Sequence, residues 1–233
     1  MSERLPAEIR SFSFGDPDGE LVGTAAVWEG GSCSSFGEPF QVTPLGEEWR
    51  LVGESVELTF APVGEVVELE LEEAGISARY QLAHVRGSVG ERVVDGAGQI
   101  AQRAGVPDGK RFSALRAVSG WFGEAEGLAV LAARPRRARG HDTELLAAAL
   151  IEGGVAVPVT EPRLSSTYGA DGVPVRVGLE LWLGEEDTEQ YPRRAAGESI
   201  GRSLACDGSL RSQLLRWRMR GRQGTGVYEL LQV

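Results

Sequence analysis

Apolar and polar residues along this chain recur with a period of two, the spacing of a strand with one face in a core. The run Val175-Arg-Val-Gly-Leu-Glu-Leu-Trp-Leu183 shows it most clearly. Related runs are Leu21–Trp28, Ser55–Phe60, Val66–Leu71, Ile76–Arg86, Arg92–Arg103 and Leu115–Phe122. They continue with Gly127–Arg134, Val155–Thr160, Ala195–Ala205, Gln213–Arg220 and Thr225–Leu231. Short strands at close, regular spacing predict a β-sandwich or a β-barrel.

Turn-forming residues separate the runs. Asp16-Pro17-Asp18-Gly19, Pro107-Asp108-Gly109, Gly169-Ala-Asp-Gly172 and Asp207-Gly208 all carry the Asp-Gly chemistry of tight reversals. The segment from Tyr168 to Pro174 predicts a hairpin that leads into the strand starting at Val175. One stretch conflicts with the pattern. His141-Asp-Thr-Glu-Leu-Leu-Ala-Ala-Ala-Leu-Ile-Glu152 is rich in helix formers, has Asp142 as an N-cap candidate and ends at a glycine pair. Its propensity favours helix and its surroundings favour strand, so residues 142–152 stay open between the two. No repeat of 20 to 50 residues is visible, which argues against a propeller or solenoid. The polar stretch Gly105–Lys110 is the best boundary and is too short for a flexible linker. It predicts two packed halves, 1–107 and 108–233.

Composition narrows the class. An apolar fraction of 42% and a charged fraction of 25% over 233 residues are those of an ordinary globular chain with a sizeable core. The longest apolar runs, such as Leu145 to Ile151, fall far short of the ~20 residues that span a bilayer. Met1–Pro6 has no basic-then-apolar leader pattern. The expectation is a cytoplasmic protein that does not span a membrane, with Cys33 and Cys206 as reduced, incidental thiols. Cys33 falls in Gly30–Ser35, which reads as a flexible loop. The net charge of −10 argues against a nucleic-acid partner. Residues 1–110 hold 19 acids and 8 bases, net −11, whereas residues 111–233 hold 15 acids and 16 bases, net +1. That contrast reads chiefly as an acidic outer surface on the first half.

Residues for demanding chemistry are few. His84 and His141 stand apart from one another and from any cysteine pair, so no metal site and no cofactor are expected. There is no nucleophile elbow, no phosphate loop and no dinucleotide fingerprint. Carboxylates that interrupt strands are the remaining acid–base candidates, chiefly Asp95 in Val93-Val-Asp-Gly and Glu180 in Leu179-Glu-Leu-Trp. On an outer face each is simply solvated. Pointing into a closed cavity, desolvation would hold it protonated as a general acid requires. Trp121, Trp182, Trp217 and Tyr168 are core plugs by default and the candidate lining of an apolar pocket. Arg216-Trp-Arg-Met-Arg220 puts Leu215, Trp217 and Met219 on one face. The arginines on the other face are expected to pair with the acidic first half.

The block Leu164-Ser-Ser-Thr-Tyr168, Asp171-Gly172, Gly178-Leu-Glu-Leu-Trp182, Tyr191-Pro-Arg-Arg-Ala-Ala-Gly-Glu198 and Arg216–Met219 resembles lipocalin-like bacterial proteins of uncharacterised families. Those are similar in turn to hydroxyneurosporene synthase (a carotenoid hydratase) and to tocopherol cyclase. The resemblance spans roughly residues 75–233. It implies an all-β, lipocalin-like antiparallel barrel or sandwich of two packed halves enclosing an isoprenoid-like or lipid-like molecule. It also implies acid-catalysed hydratase, cyclase or isomerase chemistry, although Gly98–Gly105 lacks the histidine and tryptophan such proteins often carry there. The functional expectation is an apolar small-molecule partner, with enzymatic activity left open. The alternative is a non-catalytic interaction module with a filled core, or a homo-oligomer.

Overall fold

The computed structural model describes residues 6–16, 20–138, 143–170, 172–184, 191–206 and 210–233, with the side chains of residues 202 and 205 left aside. His141, Asp142, Asp171 and the Asp207-Gly208 turn lie outside the described residues. Among the described residues every regular element is a strand but for one short 3-10 turn, Glu72–Ala74.

The first half contributes β1 (Glu8–Gly15), β2 (Val22–Trp28), β3 (Gly31–Ser34), β4 (Phe40–Leu45), β5 (Glu48–Gly53), β6 (Val56–Leu71), β7 (Ile76–Val89) and β8 (Arg92–Ala104). The second contributes β9 (Phe112–Trp121), β10 (Gly127–Pro135), β11 (Leu145–Glu152), β12 (Val155–Pro158), β13 (Glu161–Tyr168), β14 (Pro174–Trp182), β15 (Arg193–Cys206), β16 (Leu210–Met219) and β17 (Arg222–Gln232). Every ladder joins antiparallel neighbours, in the orders β3-β2-β1-β8-β7-β6-β5-β4 and β12-β11-β10-β9-β17-β16-β15-β14-β13. The first strand of each half thus pairs with its last, and the open seam falls mid-sequence, between β3 and β4 or between β12 and β13. The second seam is nearly shut. Val159 N donates to Ala148 O on one side and Thr160 N to Trp182 O on the other.

The two sheets pack face to face and strand over strand. β3 lies on β15, β2 on β16, β1 on β17, β8 on β9, β7 on β10, and β6 across β10, β11 and β12. Exchanging β1 with β9, β8 with β17, β2 with β10, β7 with β16, β3 with β11 and β6 with β15 maps these contacts onto one another, except that the reach of β6 onto β10 and β12 has no counterpart. The halves are therefore related by an approximate two-fold axis, a repeat of about half the chain rather than of 20 to 50 residues.

Strand alternation sorts the core into three layers. Between the sheets lies the largest apolar cluster, with Tyr80, Leu82 and Ile76 from the first half against Leu115, Trp121 and Leu131 from the second. The opposite face of the first sheet encloses Phe12, Phe14, Phe60 and Val85. The inside of the second encloses Val130, Leu179, Leu215, Trp217 and Tyr228. A bulge between Val63 and Val67 docks β6 on the second half. There Gly64, at φ +69°, comes so close to Gly154 that an added Cβ would lie 2.5 Å from its carbonyl oxygen. Glu65 N donates to Gly154 O, and Ala156 N donates to Glu65 Oε2.

Several expectations change. Residues 145–152 form strand β11. Leu146, Ala148 and Leu150 face the second core while Ala147, Ala149 and Ile151 face the first half, so both faces are covered and the period of two is masked. Gly30–Ser35 contains edge strand β3 rather than a flexible loop. Cys33 on β3 and Cys206 at the end of β15 are joined by a disulfide with Cα atoms 5.9 Å apart, not reduced thiols. Leu215, Trp217 and Met219 do share the buried face, but Arg220 pairs with Glu152 of its own half.

The disulfide fastens one margin of the inter-sheet contact across a separation of 173 residues. Replacing both cysteines by serine is expected to cost about 2–4 kcal/mol, lowering Tm by roughly 5–15 °C. Calorimetry with and without a reductant checks this, and a Tm indifferent to both would mean that the bond does not form.

Candidate functional site

Polar groups are scarce between the sheets, so those present stand out. The central strands bring Ser11 (β1), Tyr80 (β7), Arg103 (β8) and Glu229 (β17) together in the middle of the apolar contact, each no more than 6% exposed. Alternation explains their placement. Ser11 sits opposite Phe12, Arg103 follows the Gln99–Ala101 face, and Glu229 lies between Val227 and Leu231 on the outer face of the second sheet. Ser11 Oγ donates to Glu229 Oε1 at 2.7 Å, and Arg103 Nη1 lies 3.8 Å from Glu229 Oε2. Neither Nη1 nor Nη2 of Arg103 finds a hydrogen-bond acceptor, and the Tyr80 hydroxyl has no partner.

Such a cluster is costly. A buried donor left unmade costs about 1–3 kcal/mol, and an ion pair held apart recovers little of its desolvation. Burial, reinforced by the nearby Glu229 carboxylate and opposed by Arg103, pushes the Tyr80 pKa far above its ordinary value. Tyr80 is therefore held as a neutral phenol between a cation and an anion. Arginine, phenol and carboxylate together can bind an oxygen-bearing group, donate a proton and accept one. Ser11, Tyr80, Arg103 and Glu229 carry no sequence motif. The available signal was a charged residue on an otherwise apolar strand face, at Arg103 and Glu229.

The candidates read from sequence are dispersed. Trp121 lies in the inter-sheet contact, its Nε1 donating to Gly15 O at 3.3 Å. Trp217 lies inside the second barrel and donates to Ser119 O. Its indole rests on Gly120, Gly197 and Gly226, where any Cβ would come within 3.1 Å of the ring. Tyr168 bonds the Tyr228 hydroxyl at 2.9 Å near one end of that barrel. Trp182 shares the outer face of β14 with Glu180, its Nε1 buried and unpartnered. Glu180 accepts from Arg194 at 3.1 Å and lines an external hollow of about 410 Å³ with Arg163 and Arg218. Asp95 lies at the rim of the inter-sheet contact, its Oδ1 2.9 Å from His84 Nε2. His84 Nδ1 in turn lies 2.6 Å from Glu124 Oε1 of the second half. Among the described residues, no group of three or more His, Cys, Asp or Glu side chains could hold a metal ion. No helix among them is long and apolar enough to cross a membrane.

Fold and site define an all-β, lipocalin-like protein of two packed halves. No protein-family model and no curated protein matches the chain. Solved structures do. The crystal structure of CghA with Sch210972 superposes with a TM-score of 0.55 at 15% identity, covering 96% of this chain and 73% of that one. A second structure of CghA gives 0.54 at 13%, covering 100% and 90%. Kievitone hydratase from Nectria haematococca gives 0.55 at 11%, covering 97% and 89%. At these identities the likeness is one of fold.

Tyr80 and Tyr228 both have raised pKa values, in each case chiefly through burial. Above pH ~10 the unfolded chain loses protons that the native state keeps, so stability is complete below that pH and falls as pH rises. The slope is about −1.4 kcal/mol per pH unit for each tyrosine. Urea unfolding between about pH 8 and 11 is expected to show it, and Tyr80→Phe to reduce it by up to one tyrosine's share.

Proposed function

We propose that this protein binds a small, mainly apolar, oxygen-bearing molecule between its two halves and adds or removes water there. The observation carrying the reading is the buried Arg103–Glu229–Tyr80 group, in which the Tyr80 hydroxyl and both terminal nitrogens of Arg103 make no hydrogen bond inside an apolar contact. A bound oxygen would satisfy Arg103 and Tyr80 together. In hydration, Glu229 takes a proton from water as its oxygen bonds to one alkene carbon. Tyr80 protonates the other carbon or the conjugated oxygen held by Arg103, and is then reprotonated from Glu229. Dehydration is the reverse. The hydratase named among the fold neighbours supports this reaction class, and an isoprenoid-like substrate of the carotenoid hydratase and tocopherol cyclase kind suits the apolar surroundings. The disulfide suits an oxidising compartment better than the cytoplasm expected from composition.

Tyr80→Phe provides the cleanest test. It removes a hydroxyl with no partner, so stability at neutral pH should hold or rise, whereas a merely structural hydroxyl would show a loss. Incubated with an extract of its source organism, the wild type should retain a small molecule and yield a product differing by one water, detected by mass spectrometry. Tyr80→Phe and Glu229→Gln should lower that turnover by about 100-fold or more while Tyr80→Phe stays folded. No retained molecule, or unchanged turnover in both, would defeat the proposal. The same assay decides on Asp95 and Glu180. Asp95→Asn and Glu180→Gln should stay within about threefold of wild type, and a loss beyond tenfold in either would move the proton chemistry to that residue.

A further inference from the structure

The inter-sheet contact holds a second polar level beside the Tyr80–Arg103–Glu229 group. Two hydrogen bonds fix how the sheets are stacked along it. Ser11 Oγ on β1 donates to Glu229 on β17, and Thr225 Oγ1 on β17 donates to Gly15 O on β1. The two strands therefore cross over one another in opposite directions, which sets Ser13 over Val227. On the first sheet Ser13 pairs with Gln99 of β8, and on the second Val227 pairs with Ser119 of β9. Because β8 lies on β9, Gln99 and Ser119 come to the same level of the contact, one from each sheet.

Alternation turns both of them inward. Gln99 falls between Ala97 and Ala101, and Ser119 between Ala117 and Trp121, all four packed in the inter-sheet cluster. Gln99 is 3% exposed and Ser119 1%. Neighbouring polar groups are satisfied within the protein. Ser13 bonds Thr24 at 2.9 Å, while Trp121 Nε1 and Thr225 Oγ1 donate to Gly15 O at 3.3 and 3.1 Å. The Ser119 hydroxyl is buried without a partner, a standing cost that a ligand oxygen would remove. Hydroxyl and carboxamide can each donate and accept, and Leu82, Val227 and Leu214 beside them are apolar. At the Glu229 level the same two strands carry only Ala101 and Ala117, so methyl groups line the way from one level to the next.

We infer that the molecule bound between the halves carries two neutral oxygen functions, hydroxyl or carbonyl, about 7 Å apart, the separation of two strand residues. The reacting one lies at Tyr80 and Arg103, and the second is held by Ser119 and Gln99. This rests on the inter-sheet site proposed above and specifies its substrate class as an apolar diol or hydroxyketone. A body of the same shape with a single oxygen leaves Ser119 unbonded and is discriminated against for that reason.

Calorimetric titration of the full chain with naphthalene-2,6-diol and with 2-naphthol tests it, since the two share a rigid body and differ in the second oxygen. The diol is expected to bind one to one and at least about tenfold more tightly, as one or two added hydrogen bonds would give. Ser119→Ala and Gln99→Leu should each bring the two affinities within about threefold of one another. Ser119→Ala deletes an unbonded hydroxyl, so its Tm should hold or rise. Tyr80→Phe should weaken both compounds, because the first oxygen is common to them. Equal affinities in the wild type, or a preference for the diol that survives Ser119→Ala, would overturn the inference. If 2-naphthol then still depends on Tyr80, the inter-sheet reading stands without it. Binding of neither compound, or binding indifferent to Tyr80→Phe, would remove the inter-sheet site and this inference together.

Discussion

The buried cluster of Ser11, Tyr80, Arg103 and Glu229 is positioned by one apolar contact, the face that the first sheet presents to the outside of the second. A single curved sheet can shelter only its concave side. Here the convex side of the second half is covered as well, because Ile76, Tyr80 and Leu82 lie on Leu115, Trp121 and Leu131. That covering turns the middle of the contact into a low-dielectric layer. On its own sheet Arg103 or Glu229 would be an ordinary solvated charge; between the two sheets both are buried together.

The approximate two-fold relation explains why the contact is so regular. Each half starts and ends on neighbouring strands at its centre and leaves its seam at the margin. The central pairs β1 on β17 and β8 on β9 therefore meet along the axis, where the polar cluster lies. The margins are held differently on the two sides. One has the Cys33–Cys206 bond; the other has the β6 bulge seated on Gly154 and Ala156. Along a third edge, His84 spans Asp95 of its own half and Glu124 of the other. These ties hold the two halves together on several sides of the polar cluster.

The same sheet supports two chemically different environments because strand alternation separates them. On β9, residues with odd numbers such as Trp121 face the first half, whereas Arg116 and Val118 face the barrel. On β17, Glu229 and Tyr228 are adjacent in sequence and point to opposite sides. One strand therefore serves the inter-sheet cluster and the buried Arg116–Glu144 ion pair without mixing them. The glycines beneath Trp217 belong to this economy of space: they let a full indole lie flat against the barrel wall.

The all-β architecture was legible because runs such as Val175–Leu183 carry the period of two on their surface, and the break at Gly105–Lys110 falls where β8 gives way to β9. The period vanished in β11, where both faces are apolar, and was too short to notice in edge strand β3. Trp121 and Trp217 are both buried, yet they lie on opposite faces of one sheet, which spacing along separate strands cannot reveal. Nothing in the order of residues joins Cys33 to Cys206, or Tyr80 to Arg103 and Glu229, since each partner comes from a distant strand. The sequence by itself determined which residues form strands and which side of each strand is apolar, because alternation is local. Only the tertiary structure decided which of those sides meet, because that depends on how two curved sheets stack, and with it which charges lose their water.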